Sequence, residues 1–78
     1  MKIKVEQRHI NLGYRDDPCQ CAIALAVKEA LETDFAMVLS TILVRGQEFE
    51  IPEAVKAFIT AFDNGNPVTP FEFDLPLK

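Results

Sequence analysis

Two cysteines one residue apart, Cys19 and Cys21, have the residue type and spacing most open to chemistry in this chain. Thiols at the start of a helix face the positive end of its dipole, which lowers their pKa and would favour a redox or nucleophilic role. The pair could also supply two metal ligands, but zinc needs four, and only His9 and the carboxylates of Asp16 and Asp17 stand nearby in the sequence. The third interpretation, which we favour, is that the thiols are small side chains of the core.

His9 is the only histidine, and it stands on a short predicted helical turn that Gly13 would close. We predict a surface or capping role for it. Cys19, His9 and Asp16 form the only triad on paper, but nothing in their spacing requires the three side chains to meet. We therefore predict that the protein is not an enzyme and that it has no catalytic residue, no metal ligand and no bound cofactor.

The size and charge of the chain restrict the classes of function open to it. Its 78 residues make one domain with one small core, which at this size often needs self-association or cross-links for stability. The formal net charge of −4 argues against a nucleic-acid backbone or an anionic membrane as partner. No apolar run approaches about 20 residues, and the alternating start is unlike a signal peptide. We expect a cytoplasmic protein with reduced cysteines.

The segment 17–31 is the strongest predicted helix and the most apolar part of the chain. Asp17 suits the N-cap, Pro18 suits the first helical position, and Gln20 falls three residues after the cap, as in a capping box. No polar side chain occurs over residues 21–27. We therefore expect other elements to cover both flanks of this central helix.

Hydrophobic periodicity predicts four strands and a second long helix around the central one. The predicted strands are 2–6, 37–44, 47–51 and 71–77, and the last of them turns Phe71, Phe73, Leu75 and Leu77 inward. The second helix starts at Pro52 and buries a stripe of Val55, Phe58, Ile59 and Phe62. Arg45 and Gly46 suit a tight hairpin turn, although a helix over 34–45 capped by Gly46 is the alternative for the second strand.

The element order strand, helix, strand, strand, helix, strand (βαββαβ) predicts an α+β fold, a two-layer α/β sandwich in a single domain over residues 1–78. A ferredoxin-like order is the leading topology, and it places the first strand between the third and the fourth. The lysines of the first strand, Lys2 and Lys4, would then face acidic side chains on both neighbours, which is favourable across strands.

Those acidic side chains, Glu48, Glu50, Glu72 and Asp74, are candidates for a surface that docks onto a basic groove of another protein. RNA-recognition domains share this strand order and place an Arg-Gly pair and aromatic residues at the third strand. Arg45 and Gly46 match that pattern, but glutamates follow where stacking or basic groups would be needed. We therefore expect no direct contact with nucleic acid.

The second predicted strand has two apolar faces, and only one of them can face the helices. One row is Met37, Leu39, Thr41 and Leu43, and the other is Val38, Ser40, Ile42 and Val44. An edge strand with an exposed apolar row and neither charge nor Pro invites pairing. We predict a homodimer built on residues 37–44, by edge pairing or by packing of outer faces. The alternative is that the row containing Leu39 binds the target and that the free protein is monomeric.

Five different sequence motifs follow one another along the chain. They are His9-Ile10-x-x-Gly13, Asp17-Pro18-Cys19, Ala22-Ile23-Ala24-Leu25-Ala26, Pro52-Glu53-Ala54-Val55-Lys56-Ala57-Phe58-Ile59 and Phe62-Asp63-x-Gly65-x-Pro67-Val68-x-Pro70-Phe71-Glu72-Phe73. Together they resemble a group of very small proteins encoded by bacteriophages and prophages, with residues 33–47 least similar. That family usually has Cys-Pro before the Ile-Ala-Leu-Ala segment, where this chain has Cys21-Ala22. The departure argues against a shared metal or redox role, and the family transfers no catalytic residues.

The resemblance implies a phage origin and a small globular α/β unit. Phage proteins of this size commonly act by binding a host enzyme, a defence complex or a signal nucleotide. We therefore predict a non-enzymatic inhibitor of a host process, in the first place an anti-defence protein that acts by protein–protein contact in the infected bacterium. The second hypothesis is a protein that sequesters a nucleotide signal at a site between subunits. The third is a redox or metal-binding protein that uses Cys19 and Cys21.

Overall fold

The computed structural model describes residues 1–76 and confirms the α+β class. The elements in chain order are β1 (Lys2–Val5), α1 (Gln7–Leu12), α2 (Ala22–Ala30), β2 (Ala36–Val38), β3 (Thr41–Val44), β4 (Gln47–Glu50), α3 (Glu53–Asp63) and β5 (Phe71–Asp74). Leu77, the last predicted inward residue, lies outside the described residues. The core takes side chains from every strand and from α2 and α3.

The strands form two antiparallel sheets, so the ferredoxin-like strand order is not observed. β1 pairs with β5, as expected, but its predicted second neighbour β4 belongs to a separate sheet of order β2-β3-β4. Residues of opposite charge are cross-strand partners in the first sheet, where Lys2 is opposite Asp74 and Lys4 is opposite Glu72. The difference arises because β3 takes both β2 and β4 as neighbours, so the middle of the chain completes a sheet of its own.

The predicted strand 37–44 is two strands, because the chain turns at Leu39 and Ser40. Both turn residues are exposed, and β2 folds back on β3 with Met37 opposite Leu43. The next turn is the predicted one: Arg45 and Gly46 have φ values of 51° and 72° and join β3 to β4. Left-handed backbone at both positions is the geometry of a two-residue hairpin loop.

The central helix is shorter than predicted because the backbone becomes extended at Cys21, with a ψ of 167°. Asp17 still caps, but it caps a separate turn: its Oδ1 accepts the N–H groups of Cys19 at 3.0 Å and Gln20 at 3.1 Å. α2 then begins at Ala22 and packs against β1, β2 and α1. The expectation that both flanks of this helix are covered is confirmed.

α3 follows most of the predicted pattern: Val55, Phe58 and Phe62 are buried, whereas Ile59 is only half-buried. Its aromatic rings connect it to the first sheet, since the ring centroids of Phe58 and Phe71 are 4.9 Å apart. Offset aromatic contacts of this kind stabilise beyond the area that they bury. Gly65, with φ at 76°, follows the helix and donates its N–H to the Phe62 carbonyl at 3.1 Å.

Candidate functional site

His9 is buried, with 4% of its surface exposed, so the predicted surface position is wrong and the capping role is confirmed. Its Nδ1 accepts the backbone N–H of Glu6 at 2.9 Å at the start of α1. The other ring nitrogen, Nε2, is hydrogen-bonded to the carboxylate of Glu29 on α2. Because Nδ1 accepts, the neutral ring carries its proton on Nε2 and donates it to Glu29. No ring nitrogen is left to take a proton from a substrate.

Arg8 completes this cluster and explains the charge of Glu29. Its Nη2 lies 2.6 Å from Glu29 Oε1 and 2.9 Å from Glu6 Oε2. The hydrogen bond from Arg8, followed by that from His9, lowers the pKa of Glu29, and the two carboxylates raise the pKa of Arg8. The cluster therefore contains an ionised carboxylate whose two oxygens are both engaged, and it joins α1 to α2. Its chemistry is structural.

The thiol of Cys21 caps α2. The Sγ atom is buried and accepts the backbone N–H of Ala24 at 3.4 Å. Burial raises the pKa of this thiol and outweighs the hydrogen bond from Ala24, which lowers it. The expectation that a helix start activates the thiol is therefore wrong for Cys21, which stays protonated and unreactive at neutral pH. The core interpretation is confirmed for this residue.

Cys19 is half-buried in the turn that Asp17 caps, before the start of α2. Its backbone carbonyl accepts a hydrogen bond from Lys28 Nζ at 2.8 Å. Both cysteines are free thiols. Within residues 1–76, no three side chains of the His, Cys, Asp or Glu type come together as a metal-binding set. The triad of Cys19, His9 and Asp16 that the sequence suggested does not form either, because the hydrogen bonds of His9 go to Glu6 and Glu29.

A cavity of about 260 Å³ lies beside Cys21, at the end of the β2–β3 hairpin. Its lining residues are Asp16, Asp17, Pro18, Cys21, Val38, Leu39, Ile59 and Asp63. Two of the three carboxylates have structural roles: Asp63 Oδ1 accepts the backbone N–H of Asp16 at 3.0 Å, and Asp17 caps its own turn. Leu39, with 61% of its surface exposed, forms the apolar lip.

The cross-strand register of the second sheet places Met37, Thr41, Leu43, Glu48 and Glu50 on one side, which we name the outer face. The apolar members are half-buried and both glutamates are exposed. Thr41 Oγ1 donates to Glu48 Oε2 at 2.8 Å. The predicted row is thus mostly reproduced, but Leu39 leaves it, because this residue lies in the turn and lines the cavity.

The four predicted acidic residues lie on two separate sheets. Glu72 and Asp74 lie on the first sheet, opposite the lysines of β1. Glu48 and Glu50 lie on the outer face, where their cross-strand partners are Leu43 and Thr41. The outer face therefore combines apolar side chains on β2 and β3 with two carboxylates on β4, whose cross-strand partners are not lysines.

Arg15 is a residue that sequence reasoning missed. Its guanidinium lies against Gly65, where an added Cβ would come within 3.0 Å of Nη1. A cavity of about 370 Å³ beside it also takes in Gly13, so the C-terminal ends of α1 and α3 meet there. A cation is favourable at helix C-termini. The two glycines that end the predicted helices were the sequence signal for this position.

Comparisons of the chain with protein-family models, with curated proteins and with solved structures find no match. In the described part of the chain, no helix has both the length and the apolarity that crossing a bilayer requires. The function is therefore inferred from the geometry of the residues themselves.

Proposed function

We propose that this protein is a non-enzymatic binding protein that docks its outer face onto a basic surface of a partner protein. The observation that carries the proposal is the composition of that face. Met37 on β2 and Leu43 on β3 are cross-strand neighbours, and Glu48 lies directly across from Leu43 on the other edge strand, β4. An apolar patch bordered by polar side chains is the usual anatomy of a protein interface. Carboxylates at the rim favour a partner with Lys or Arg around an apolar patch.

The residues that could have carried catalysis support this proposal, because they have structural roles. His9 uses both ring nitrogens inside the fold, and the Cys21 thiol caps α2. Placing a substrate at His9 would break the bond that joins α1 to α2, and placing one at the Cys21 thiol would break the cap of α2. The outer face is under no such constraint, since the side chain of Glu50 is exposed and Leu43 is half-buried.

The sequence resemblance to phage-encoded proteins supplies the biological setting of the proposal. On that basis the partner is a bacterial host protein, in the first place a component of a defence system, and the bound protein blocks its action. A basic target suits this role, because enzymes that act on nucleic acids carry positive grooves that an acidic protein can occupy. The net charge of −4 favours fast association with such a groove.

A second copy of the chain is the other occupant to consider. Edge pairing through β2 is opposed by the hydrogen bond from the Val38 N–H to the Pro18 carbonyl, which is 2.8 Å long and uses that edge. Packing two outer faces about a twofold axis would bring Glu48 and Glu50 of both copies together, which is unfavourable without counter-charges. We therefore assign the face to a basic partner, and the predicted homodimer becomes an outcome that the experiments distinguish.

Two matched variants test the assignment. Glu48→Gln/Glu50→Gln and Glu72→Gln/Asp74→Asn each remove two carboxylates, so each changes the formal net charge from −4 to −2. Affinity capture from bacterial lysate with the wild type identifies a partner, which is then purified and bound directly. We expect the outer-face variant to lose binding while the first-sheet variant keeps it. Equal loss in both variants would mean that net charge alone drives capture, and the proposal would then be wrong.

A further inference from the structure

β4 is an edge strand, and the edge that does not pair with β3, which we name the outer edge of β4, has backbone groups that point away from the sheet. The two-residue turn at Arg45 and Gly46 makes Val44 and Gln47 a hydrogen-bonded pair, and in an antiparallel ladder every second pair is of that kind. The amides of Gln47 and Phe49 therefore face β3, and those of Glu48 and Glu50 face outward. Within residues 1–76, no backbone hydrogen bond joins this edge to another segment.

The side chains at this edge select what can pair with it. Glu48 and Glu50 project to the same side, two residues apart. Pairing of two copies of β4 would set carboxylates opposite carboxylates, which is destabilising. A strand with Lys or Arg at two alternate positions would instead meet opposite charge at both.

The fold already contains such a pair. β5 has the sequence Glu72-Phe73-Asp74, and its partner is Lys2-Ile3-Lys4 on β1. β4 repeats the acidic pattern as Glu48-Phe49-Glu50, again with a buried Phe between two exposed acids. The two sets of pairs differ in one respect. Met1 and Leu75 exchange backbone hydrogen bonds, so the adjacent Lys2–Asp74 pair, and with it Lys4–Glu72, is of the non-hydrogen-bonded kind. Pairs between Glu48 or Glu50 and an added strand would be of the hydrogen-bonded kind, which is more widely spaced. Lysine side chains are long enough to span the wider spacing.

Only one of the two acidic strands offers a usable edge. Pro70 and Pro76 flank β5, and proline interrupts the ladder that an added strand needs. β4 has a proline at one end only, Pro52. The N-terminal strand of a second copy is not available as the occupant, because Ile3 and Val5 are buried in its own core.

We infer that the outer edge of β4 binds an extended segment of the partner protein by strand addition, and that this segment has Lys or Arg at two alternate positions. The inference rests on the proposed function and names its mode of recognition. Main-chain hydrogen bonds from Glu48 and Glu50 give affinity, and their carboxylates give specificity.

The probe for this mode is a fluorescein-labelled, end-capped peptide Lys-Ile-Lys-Val-Lys, measured by fluorescence anisotropy with the full chain. Two altered peptides accompany it. One carries N-methyl groups on the lysine amides that would bond to the β4 edge, and the other carries them on the Ile and Val amides, which would face away. We expect the second peptide to bind like the unmodified one and the first to bind at least about tenfold more weakly, since two hydrogen bonds are lost.

The two charge variants complete the design. Glu48→Gln/Glu50→Gln is expected to weaken the unmodified peptide about fivefold, from two cross-strand charge pairs, and Glu72→Gln/Asp74→Asn to leave it unchanged. In hydrogen exchange, the Glu48 and Glu50 amides should gain protection on binding. Equal affinity for both methylated peptides, or no binding of the unmodified peptide at millimolar concentration, overturns strand addition. The proposed function fails separately, if the captured partner binds the outer-face variant as well as it binds the wild type.

Discussion

His9 donates its Nε2 proton to the carboxylate of Glu29, and this bond joins α1 to α2 across 20 positions of the chain. The ring nitrogen on the other side is held by the Glu6 amide at 2.9 Å. A buried imidazole with both nitrogens engaged is a structural strut. In this geometry both ring nitrogens of the one histidine are used within the fold.

The Glu29 carboxylate should make stability depend on pH in acid. Its pKa is lowered in the folded protein by Arg8 and then by His9, so its contribution is present above its ordinary value of 4.5 and is lost as the pH falls through the lower folded value. Urea midpoints of wild type and Glu29→Gln should differ at pH 7, and the difference should shrink as the pH falls below 4.5 toward the lowered pKa of the folded protein. Glu32→Gln, at another exposed position, is the control. A difference between wild type and Glu29→Gln that persists unchanged at pH 3 contradicts this account.

Replacing His9 by Phe keeps the volume of the ring and removes both of its hydrogen bonds. The Glu6 amide then loses its partner at the start of α1, at a cost of about 1 to 3 kcal/mol in the free energy of unfolding. Chemical denaturation measures this directly. A variant as stable as the wild type would show that the two bonds contribute nothing net.

The cap on α2 is tested by two substitutions at Cys21. Cys21→Ala removes the acceptor for the Ala24 N–H and should cost about 1 kcal/mol, whereas Cys21→Ser supplies a hydroxyl acceptor and should cost less. Cys19→Ser, at a half-buried position, is the control. We expect all three to keep partner binding. Loss of binding by folded Cys19→Ser would revive the redox or metal hypothesis.

Asp17 and Gly13 shape the entry to α2 in different ways. Asp17→Ala removes the acceptor of two N–H groups and should lower the free energy of unfolding by about 1 kcal/mol, while Asp17→Asn keeps an acceptor and should lower it less.

Gly13 lies close to the start of α2. Gly13→Ala places a Cβ 2.7 Å from the Ala22 nitrogen, so the backbone must move, which should lower the free energy of unfolding by about 2 to 3 kcal/mol. Gly46→Ala meets no atom within 4 Å, and only its left-handed φ costs, about 1 kcal/mol. Equal costs at the two glycines would refute the close approach at Gly13.

Much of the fold could be predicted because its signals are local. The stripe on α3, the turn at Arg45 and Gly46 and the lysine–acid ladder between β1 and β5 all follow from spacing and charge. The turn at Leu39 and Ser40 could not be predicted, since Leu39 is not typical of turns and a single serine is a weak turn signal. What favours it is tertiary: the Val38 amide binds the carbonyl of Pro18.

The hydrogen bond between Val38 and Pro18 also explains why α2 begins later than the sequence predicts. Propensity favours one helix from Pro18 onward, but the Pro18 carbonyl is used by β2, and the chain is extended at Cys21. The contact between His9 and Glu29 was equally out of reach, because it depends on the packing angle of two helices. Sequence patterns located the outer face through its alternation, and only the register showed that Glu48 joins it and that Leu39 leaves it.

The molar mass of the free protein, measured by light scattering, tests whether a second copy of the chain binds the outer face. We expect a monomer, because two copies of that face would bring their glutamates together and the β2 edge is partly used. Met37→Lys should leave the mass unchanged. A wild-type dimer that Met37→Lys dissociates into folded monomers would assign the face to a second copy, as the apolar pattern of residues 37–44 predicts.

The most direct measurement of the central claim is isothermal titration calorimetry of the purified, captured partner with three forms of the protein. These are the wild type, Glu48→Gln/Glu50→Gln and Glu72→Gln/Asp74→Asn, the last two equal in net charge. Docking through the outer face predicts that the dissociation constant rises about tenfold or more for the first variant and changes less than twofold for the second. Equal constants for the two variants would contradict docking through the outer face.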